Sequence, residues 1–357
     1  DSASTSVADL IHRIEQSTAP VVKPQLEPLV RTVDHTGEIT TRNLFNDIKN
    51  ATTGNITAEK IIQLIQSVPT LPTAGPSIQA MVIPHDSQVF VLGDIHTSFD
   101  QMLAQIQRMR WLDCFVSQET LKLKNNIYLV FTGDYIDRGN QGIEVMMLAM
   151  DLKKLNPQNV FLCRGNHEDI RIFTQYDFIT EITRRFPTAV PNNIINHFEA
   201  LFRRLPLAVF LGIKTQDGLV HFGMYNHAGL DNNSNVVQTI RHLLQKTVSA
   251  EEKALQSEPL SLDPIDSNLL WGDYHSYFLG RGQEYKEELS SDRTPTATSI
   301  NLNKAQQILA SYEGSNYTID FVARGHQHMH GGILQLLRLG VYDENAGKNI
   351  FLINRQH

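Results

Sequence analysis

Three short apolar runs, at 88–92, 126–131 and 159–163, each lead into a polar segment rich in Asp, Asn and His. Between them, apolar residues recur at helical spacing. Phe99, Met102, Leu103 and Ile106 mark a helix over 98–110, and Ile143, Val145, Met146, Met147, Leu148 and Met150 mark one over 142–155. The methionines of the second stripe are expected in the core, where Met fills irregular gaps. Strand, helix, strand, helix, strand predicts a parallel sheet with helices packed on it. Upstream, 79–92 predicts a β-hairpin turning near His85, Asp86 and Ser87. A helix is predicted over 57–67, with Thr57 as N-cap, Ile61, Ile62, Leu64 and Ile65 as its apolar stripe, and Pro69, Pro72 and Pro76 beyond its end.

The segment 168–206 predicts mostly helix, with Phe178, Ile182, Phe186, Ile194, Ile195, Phe198, Leu201 and Phe202 buried. Strands follow at 207–213 and 219–224, then a helix at 236–245. The polar stretch 249–266 predicts a surface loop or short helices, and the Ser/Thr-rich stretch 290–299 a surface loop. The last strands are expected at 319–323, 332–339 and 350–353. Residues 1–54 form a variable leader, with a short amphipathic helix at 2–14 carrying Val7, Leu10, Ile11 and Ile14, and with Pro20, Pro24 and Pro28 after it. Residues 55–357 are expected to form the main domain. The fold class is α/β.

Composition narrows this only slightly. With 41% hydrophobic and 19% charged residues among 357, the chain can bury a large core. A net charge of −7 argues against a duplex nucleic-acid binder, which carries a basic face. Cys114 and Cys163 are the only cysteines, too few for a disulfide framework, and a reducing compartment is expected. No apolar run reaches membrane-spanning length. A domain of cytoplasmic type is the expectation.

The chemistry lies in the polar segments. They are Gly93-Asp94-Ile95-His96, Gly133-Asp134-Tyr135-Ile136-Asp137-Arg138-Gly139 and Arg164-Gly165-Asn166-His167-Glu168. Two more histidines follow strands, in His227-Ala228-Gly229-Leu230 and Arg324-Gly325-His326-Gln327. Asp94, His96, Asp134, Asn166, His227 and His326 offer three oxygen and three nitrogen donors, a set that suits hard or borderline divalent ions. Strand C-terminal ends are where open α/β sheets place ligands. Two ions sharing one carboxylate, for which Asp134 is centrally placed, would polarise a phosphoryl group and activate a water. Arg138 supplies the planar fork that matches two phosphate oxygens. A carboxylate beside His167, such as Asp137, favours the imidazolium that a general acid needs. Cys163 lies inside a strand and reads as core.

These five segments, in this order, resemble the phosphoprotein phosphatase family of metal-dependent serine/threonine phosphatases over roughly residues 55–357. The resemblance implies the calcineurin-like metallophosphoesterase fold, two facing β-sheets flanked by helices with a dimetal site at the strand ends. It implies that Asp94, His96 and Asp134 hold one ion, and that Asp134, Asn166, His227 and His326 hold the other. Manganese is expected, with iron or zinc as alternatives. His167 would protonate the leaving oxygen, Asp137 would orient His167, and Asn166 would also face the phosphate. Arg281, after Leu269-Leu270-Trp271-Gly272-Asp273, is expected as the second phosphate-binding arginine beside Arg138. The implied reaction is in-line attack of dimetal-bound hydroxide on phosphoserine and phosphothreonine esters, without a phosphoenzyme. Arg164 and Arg324 are expected to pair inside the fold, Glu168 to support it, Asp273 to border substrate, and His328 and His330 to stay off the metals.

The chain departs from the family in three places. Thr97 stands where the family has Gly, and its side chain is expected to reshape the site entrance. Ala228 replaces a Gly. The C-terminal loop near Tyr342 is short, which predicts weak inhibition by microcystin. This divergence suggests a bacterial effector secreted into a host cell, with 1–54 docking partners or substrates. Two alternatives remain: a phosphotyrosine-directed or dinucleotide-polyphosphate-type phosphatase on the same core, and a non-catalytic binding module. A full complement of ligand and acid positions disfavours the second.

Overall fold

The computed structural model describes residues 56–68, 75–117, 120–187, 191–250, 254–274, 288–290, 293–326, 337–338 and 350–353. The leader over 1–54, Arg281, His328, His330 and the segment around Tyr342 lie outside them. The described strands are, in chain order, β1 (Ser77–Ile83), β2 (Gln88–Leu92), β3 (Ile127–Phe131), β4 (Val160–Leu162), β5 (Ala208–Lys214), β6 (Val220–Asn226), β7 (Gln256–Pro259), β8 (Asp273–Tyr274), β9 (Glu288–Ser290), β10 (Thr298–Ile300), β11 (Tyr317–Arg324), β12 (Leu337–Arg338) and β13 (Ile350–Ile353).

They form a six-stranded sheet ordered β12-β11-β6-β5-β1-β7, a four-stranded sheet ordered β13-β2-β3-β4, and a small sheet ordered β8-β10-β9. The four-stranded sheet is entirely parallel, as the alternation of strands and helices predicts. The six-stranded sheet is mixed. Met81 of β1, Leu211 of β5 and Tyr225 of β6 share one buried cluster with Val91 of β2, Val130 of β3 and Phe161 of β4, so the two larger sheets pack face to face. On its other face the six-stranded sheet, with Phe210, Phe222 and Met224, buries Ile240 and Leu244 of the helix Ser234–Ser249.

The predicted hairpin at 79–92 is not one. β1 pairs with β5 and β7, and β2 with β13 and β3, so the turn after Ile83 crosses from one sheet to the other. Both strands are buried along nearly their whole length rather than on alternate residues. That pattern belongs to strands covered on both faces. The stretch read as loop at 249–266 contains β7, which closes the edge of the sheet against β1. The one at 290–299 begins and ends in β9 and β10.

Helices follow the periodic pattern closely. Ala58–Ser67 is capped by the Thr57 side chain accepting from Lys60 N, and Gly142–Leu155 buries Met146, Met147 and Met150 in the core. Phe178, Phe198 and Phe202 stack in one aromatic cluster, while Phe186 is only half-buried. No helix among the described residues is long and apolar enough to cross a membrane.

Register brings the polar segments to one edge. Leu92, Phe131 and Leu162 are paired in register at the ends of β2, β3 and β4. Asn226 and Arg324 are paired at the ends of β6 and β11. Five loops therefore leave the sheets at the same side.

Candidate metal centre

Those loops are stitched together by main-chain hydrogen bonds. The amides of Ile95 and His96 donate to Asp134 O at 3.0 and 2.9 Å, and Gly325 N donates to His227 O at 3.0 Å. Glu168 supports the arrangement from below: its buried carboxylate accepts from Asp134 N, Tyr135 N and Gly165 N at 2.8, 2.9 and 2.8 Å. Burial, with Asp134 beside it, pushes the Glu168 carboxyl up to about 7. As expected, Arg164 pairs inward, with Glu168 O and Asp169, and Arg324 stacks over the Tyr274 ring.

The backbone here is strained. Among the described residues, seven non-glycine residues have positive φ, and six of them, His96, Thr97, Asp134, Asp137, Arg138 and His326, belong to these loops. Each such conformation costs of order 1–3 kcal/mol and persists only where its surroundings impose it. Gly133 answers a different constraint, at φ +103° with room for no side chain: a Cβ there would overlap the backbone of Gly165.

All six predicted ligand positions come together, each no more than 8% exposed. Asp94, Asp134 and His227 offer ligand atoms within 4.8 Å of one another, and so do His96, Asp134 and His167. Asp134 belongs to both groups, which suits a bridging carboxylate. The ring tautomers follow from their partners. His96 Nδ1 lies 2.8 Å from Ile136 O and His227 Nδ1 lies 3.1 Å from Thr132 O; a carbonyl only accepts, so both Nδ1 atoms carry the hydrogen. The lone pair of His96 Nε2 then faces Asp134 Oδ2 at 3.2 Å. That of His227 Nε2 faces Asn166 Oδ1 at 2.7 Å and Asp134 Oδ1 at 3.4 Å. His326 Nδ1 closes the group, 3.0 Å from both Asn166 Oδ1 and His227 Nε2. Acceptors converging on acceptors in a buried pocket are unfavourable unless a cation sits among them. By this test the donor set fits divalent ions, and its mixed nitrogen and oxygen character suits Mn, Fe or Zn.

The carboxylates and imidazoles also shift one another's protonation. Burial pushes the Asp134 carboxyl up, but the imidazoles of His227, His96 and His167 outweigh it and hold it well below the usual range. Burial lowers His96, while Asp134 and Asp94 outweigh that and raise it. Burial, aided by His227 and Arg293, holds His326 well below its usual value and therefore neutral, the form that ligates.

His167 is placed beside this group. Its Nδ1 is 2.7 Å from Asp137 Oδ2, and Asp137 Oδ1 accepts from Phe178 N at 2.9 Å. The orienting carboxylate is thus itself fixed by the first turn of the helix Asp177–Arg185. By distance alone His167 could also ligate through Nε2, but its Asp137 partner is what a proton donor needs. Arg138 lies exposed at the rim, next to Asp137.

Two residues escaped the sequence reading. Arg293 lies beside the site: its Nε donates to Asp273 Oδ2 at 2.8 Å, and Asp273 Oδ1 is 3.8 Å from His326 Nε2. The signal was an arginine downstream of Trp271-Gly272-Asp273; Arg281, the arginine read from the sequence, lies outside the described residues. Tyr176, half exposed, sets its ring edge-on to His167 with centroids 5.1 Å apart.

Comparison with known proteins agrees with this picture. Residues 87–330 match the calcineurin-like phosphoesterase family. The chain is similar to serine/threonine-protein phosphatase rdgC of Drosophila melanogaster, 31% identical over 194 residues, covering 53% of this chain and 27% of that protein. Much of that relative therefore has no counterpart here. It is also similar to serine/threonine-protein phosphatase PP1-delta of Caenorhabditis elegans, 25% identical over 308 residues and covering 83% of each. Among solved structures, a serine/threonine phosphatase from Saccharomyces cerevisiae with similarity to human phosphatase PP5 superimposes with a TM-score of 0.52 at 21% identity, over 84% of this chain and 79% of that one. That likeness shows the fold.

Proposed function

The chain belongs to the calcineurin-like phosphoesterase family, and from that premise we propose that it is a metal-dependent protein phosphatase hydrolysing phosphoserine and phosphothreonine esters. The observation that carries this reading is the buried gathering of Asp94, His96, Asp134, Asn166, His227 and His326 around Asp134, with the His167–Asp137 pair alongside. The serine/threonine preference is carried over from the names of the relatives.

Asp94, His96 and Asp134 would hold one ion, and Asp134, Asn166, His227 and His326 the other. When bound, such ions supply Lewis-acid polarisation of the phosphoryl oxygens and acidify the attacking water. The chain's own residues do the rest. Arg138 at the rim binds phosphate oxygens through its fork. Arg293, held by Asp273, is the second arginine we assign to the phosphate. His167 keeps one proton on Nδ1 against Asp137 and presents Nε2 to the leaving oxygen. Protonating a serine or threonine alkoxide as it departs is general acid catalysis, worth on the order of 10²–10⁴-fold.

Leaving-group chemistry tests the acid assignment. His167→Asn should abolish most turnover of a phosphoserine peptide, whose alkoxide needs the proton. It should cost far less on a nitrophenyl phosphate, whose leaving group is stable as an anion. Equal losses on both substrates would remove His167 from the acid role.

A further inference from the structure

The helix Gly142–Leu155 starts soon after Asp137, and the first amides of a helix have no partner within it. Gln141, at the N-cap position, makes no capping hydrogen bond with its side chain. Glu181 supplies the cap from another helix, Asp177–Arg185. Its Oε2 accepts from Gly142 N at 2.9 Å and its Oε1 from Ile143 N at 3.2 Å. Glu181 is 1% exposed. Arg185, one turn further on, lies 3.3 Å from Glu181 Oε1 and holds both oxygens of Glu144, in the first turn of the capped helix, at 2.7 and 2.8 Å. The two helices meet closely: a Cβ on Gly142 would come within 3.0 Å of Phe178 Cδ2 and 3.1 Å of Glu181 Oε2.

The helix that carries Glu181 also touches both members of the acid pair. Phe178 N donates to Asp137 Oδ1 at 2.9 Å, and Tyr176, the N-cap residue, sets its ring edge-on to His167. Phe178 and Glu181 are three positions apart and so share one face of the helix. That face grips the segment 137–143 at both ends, by the Asp137 carboxylate at one and by the Gly142 and Ile143 amides at the other. Phe178 also packs among Phe173, Phe198 and Phe202, which fixes how deep the helix sits. Apolar packing is non-directional, however. The directional bonds of Glu181 set where Phe178 N stands along the segment. They thereby set the turn of the Asp137 carboxylate, whose other oxygen is 2.7 Å from His167 Nδ1.

We infer that Glu181 is a positioning residue for the His167–Asp137 acid pair: by capping the helix Gly142–Leu155 from the helix Asp177–Arg185, it aims the carboxylate that aims His167. The inference deepens the phosphatase reading and rests on its acid assignment.

Leaving-group dependence in the metal-loaded full chain tests it. Glu181→Gln keeps the shape, but its amide nitrogen cannot accept from a second backbone amide. On a phosphoserine peptide kcat should fall on the order of tenfold with little change in KM, while turnover of nitrophenyl phosphate should stay within about twofold. In the His167→Asn background the same change should cost less than about twofold on the peptide, because the group it aims is gone. A merely structural role would lower both substrates alike, and would lower them again in the His167→Asn background; either result overturns the inference. If Glu181→Gln does not fold, Arg185→Gln loosens the same clamp from its more exposed side, and the ratio of peptide to nitrophenyl phosphate turnover should still drop. An unchanged ratio there overturns the inference as well. His167→Asn alone separates the two failures. If it shows no leaving-group dependence, the acid assignment falls and takes Glu181 with it. If it shows that dependence and the Glu181 and Arg185 variants do not, only the role of Glu181 is lost.

Discussion

Asp134 concentrates the logic of the site. One side chain belongs to both candidate ligand groups, its amide is held by Glu168, its carbonyl receives two amides of the loop after β2, and its Oδ1 accepts from His167 N at 3.1 Å. Asp134→Asn removes the charge and keeps the shape. Turnover should fall on the order of 100-fold or more, with bound metal, counted by atomic emission on dialysed protein, dropping from two ions towards one or none. A variant that keeps both ions and its activity would exclude the bridging role. At this scale the sequence was highly legible. Asp, Asn and His soon after apolar runs are unusual enough, five times over and in one order, to mark the residues that the fold gathers at one edge. The residues it did not mark, Arg293 and Tyr176, share a different property. Each meets the site through one side-chain contact, with Asp273 and with His167, and no local spacing announces such a partner.

Elements carry the next set of consequences. Helices were legible because their apolar stripes are long. The crossing between β1 and β2 was misread because two adjacent apolar runs look the same whether they pair with each other or enter different sheets. The loop geometry after β3 depends on Gly133, and Gly133→Ala should cost about 3 kcal/mol, through positive φ and overlap with Gly165 together. Metal retention should fall with it. A melting temperature equal to the wild type would show that the loop relaxes freely.

Another element supplies a pH dependence of its own, through a residue outside the candidate metal centre. Lys153, near the end of the helix Gly142–Leu155, is 1% exposed and donates to Pro157 O and Val160 O at 2.9 and 2.8 Å. Burial pushes it down to about 7 from an ordinary 10.5. Above pH 7 the folded protein holds this amine neutral while the unfolded chain protonates it. Unfolding therefore takes up a proton, and the lysine's contribution makes stability rise from about pH 7 to 10.5. Below pH 7 both states are protonated and the contribution is flat. Urea unfolding across this range should show the rise in the wild type and lose that component in Lys153→Met. The same slope in both proteins would assign it to other groups.

For the whole molecule, the two facing sheets explain why one edge can be strained. The buried clusters on both faces of the six-stranded sheet hold the strand ends in register, so the loops can adopt conformations that they would not take alone. We propose that residues 55–357 form the catalytic unit and that 1–54 dock partners or substrates. Removing 1–54 should leave turnover of a small phosphate ester within about twofold and alter only turnover of intact phosphoproteins. Loss of small-ester turnover in a folded truncated protein would place part of the catalytic unit in the leader.

The central claim is tested most directly by phosphate release from matched phosphoserine, phosphothreonine and phosphotyrosine peptides, with and without Mn²⁺, with Asp134→Asn as control. Metal-dependent turnover of the first two peptides, lost in the control, is the predicted result. Turnover dominated by phosphotyrosine, or turnover indifferent to metal and to Asp134, would contradict the account.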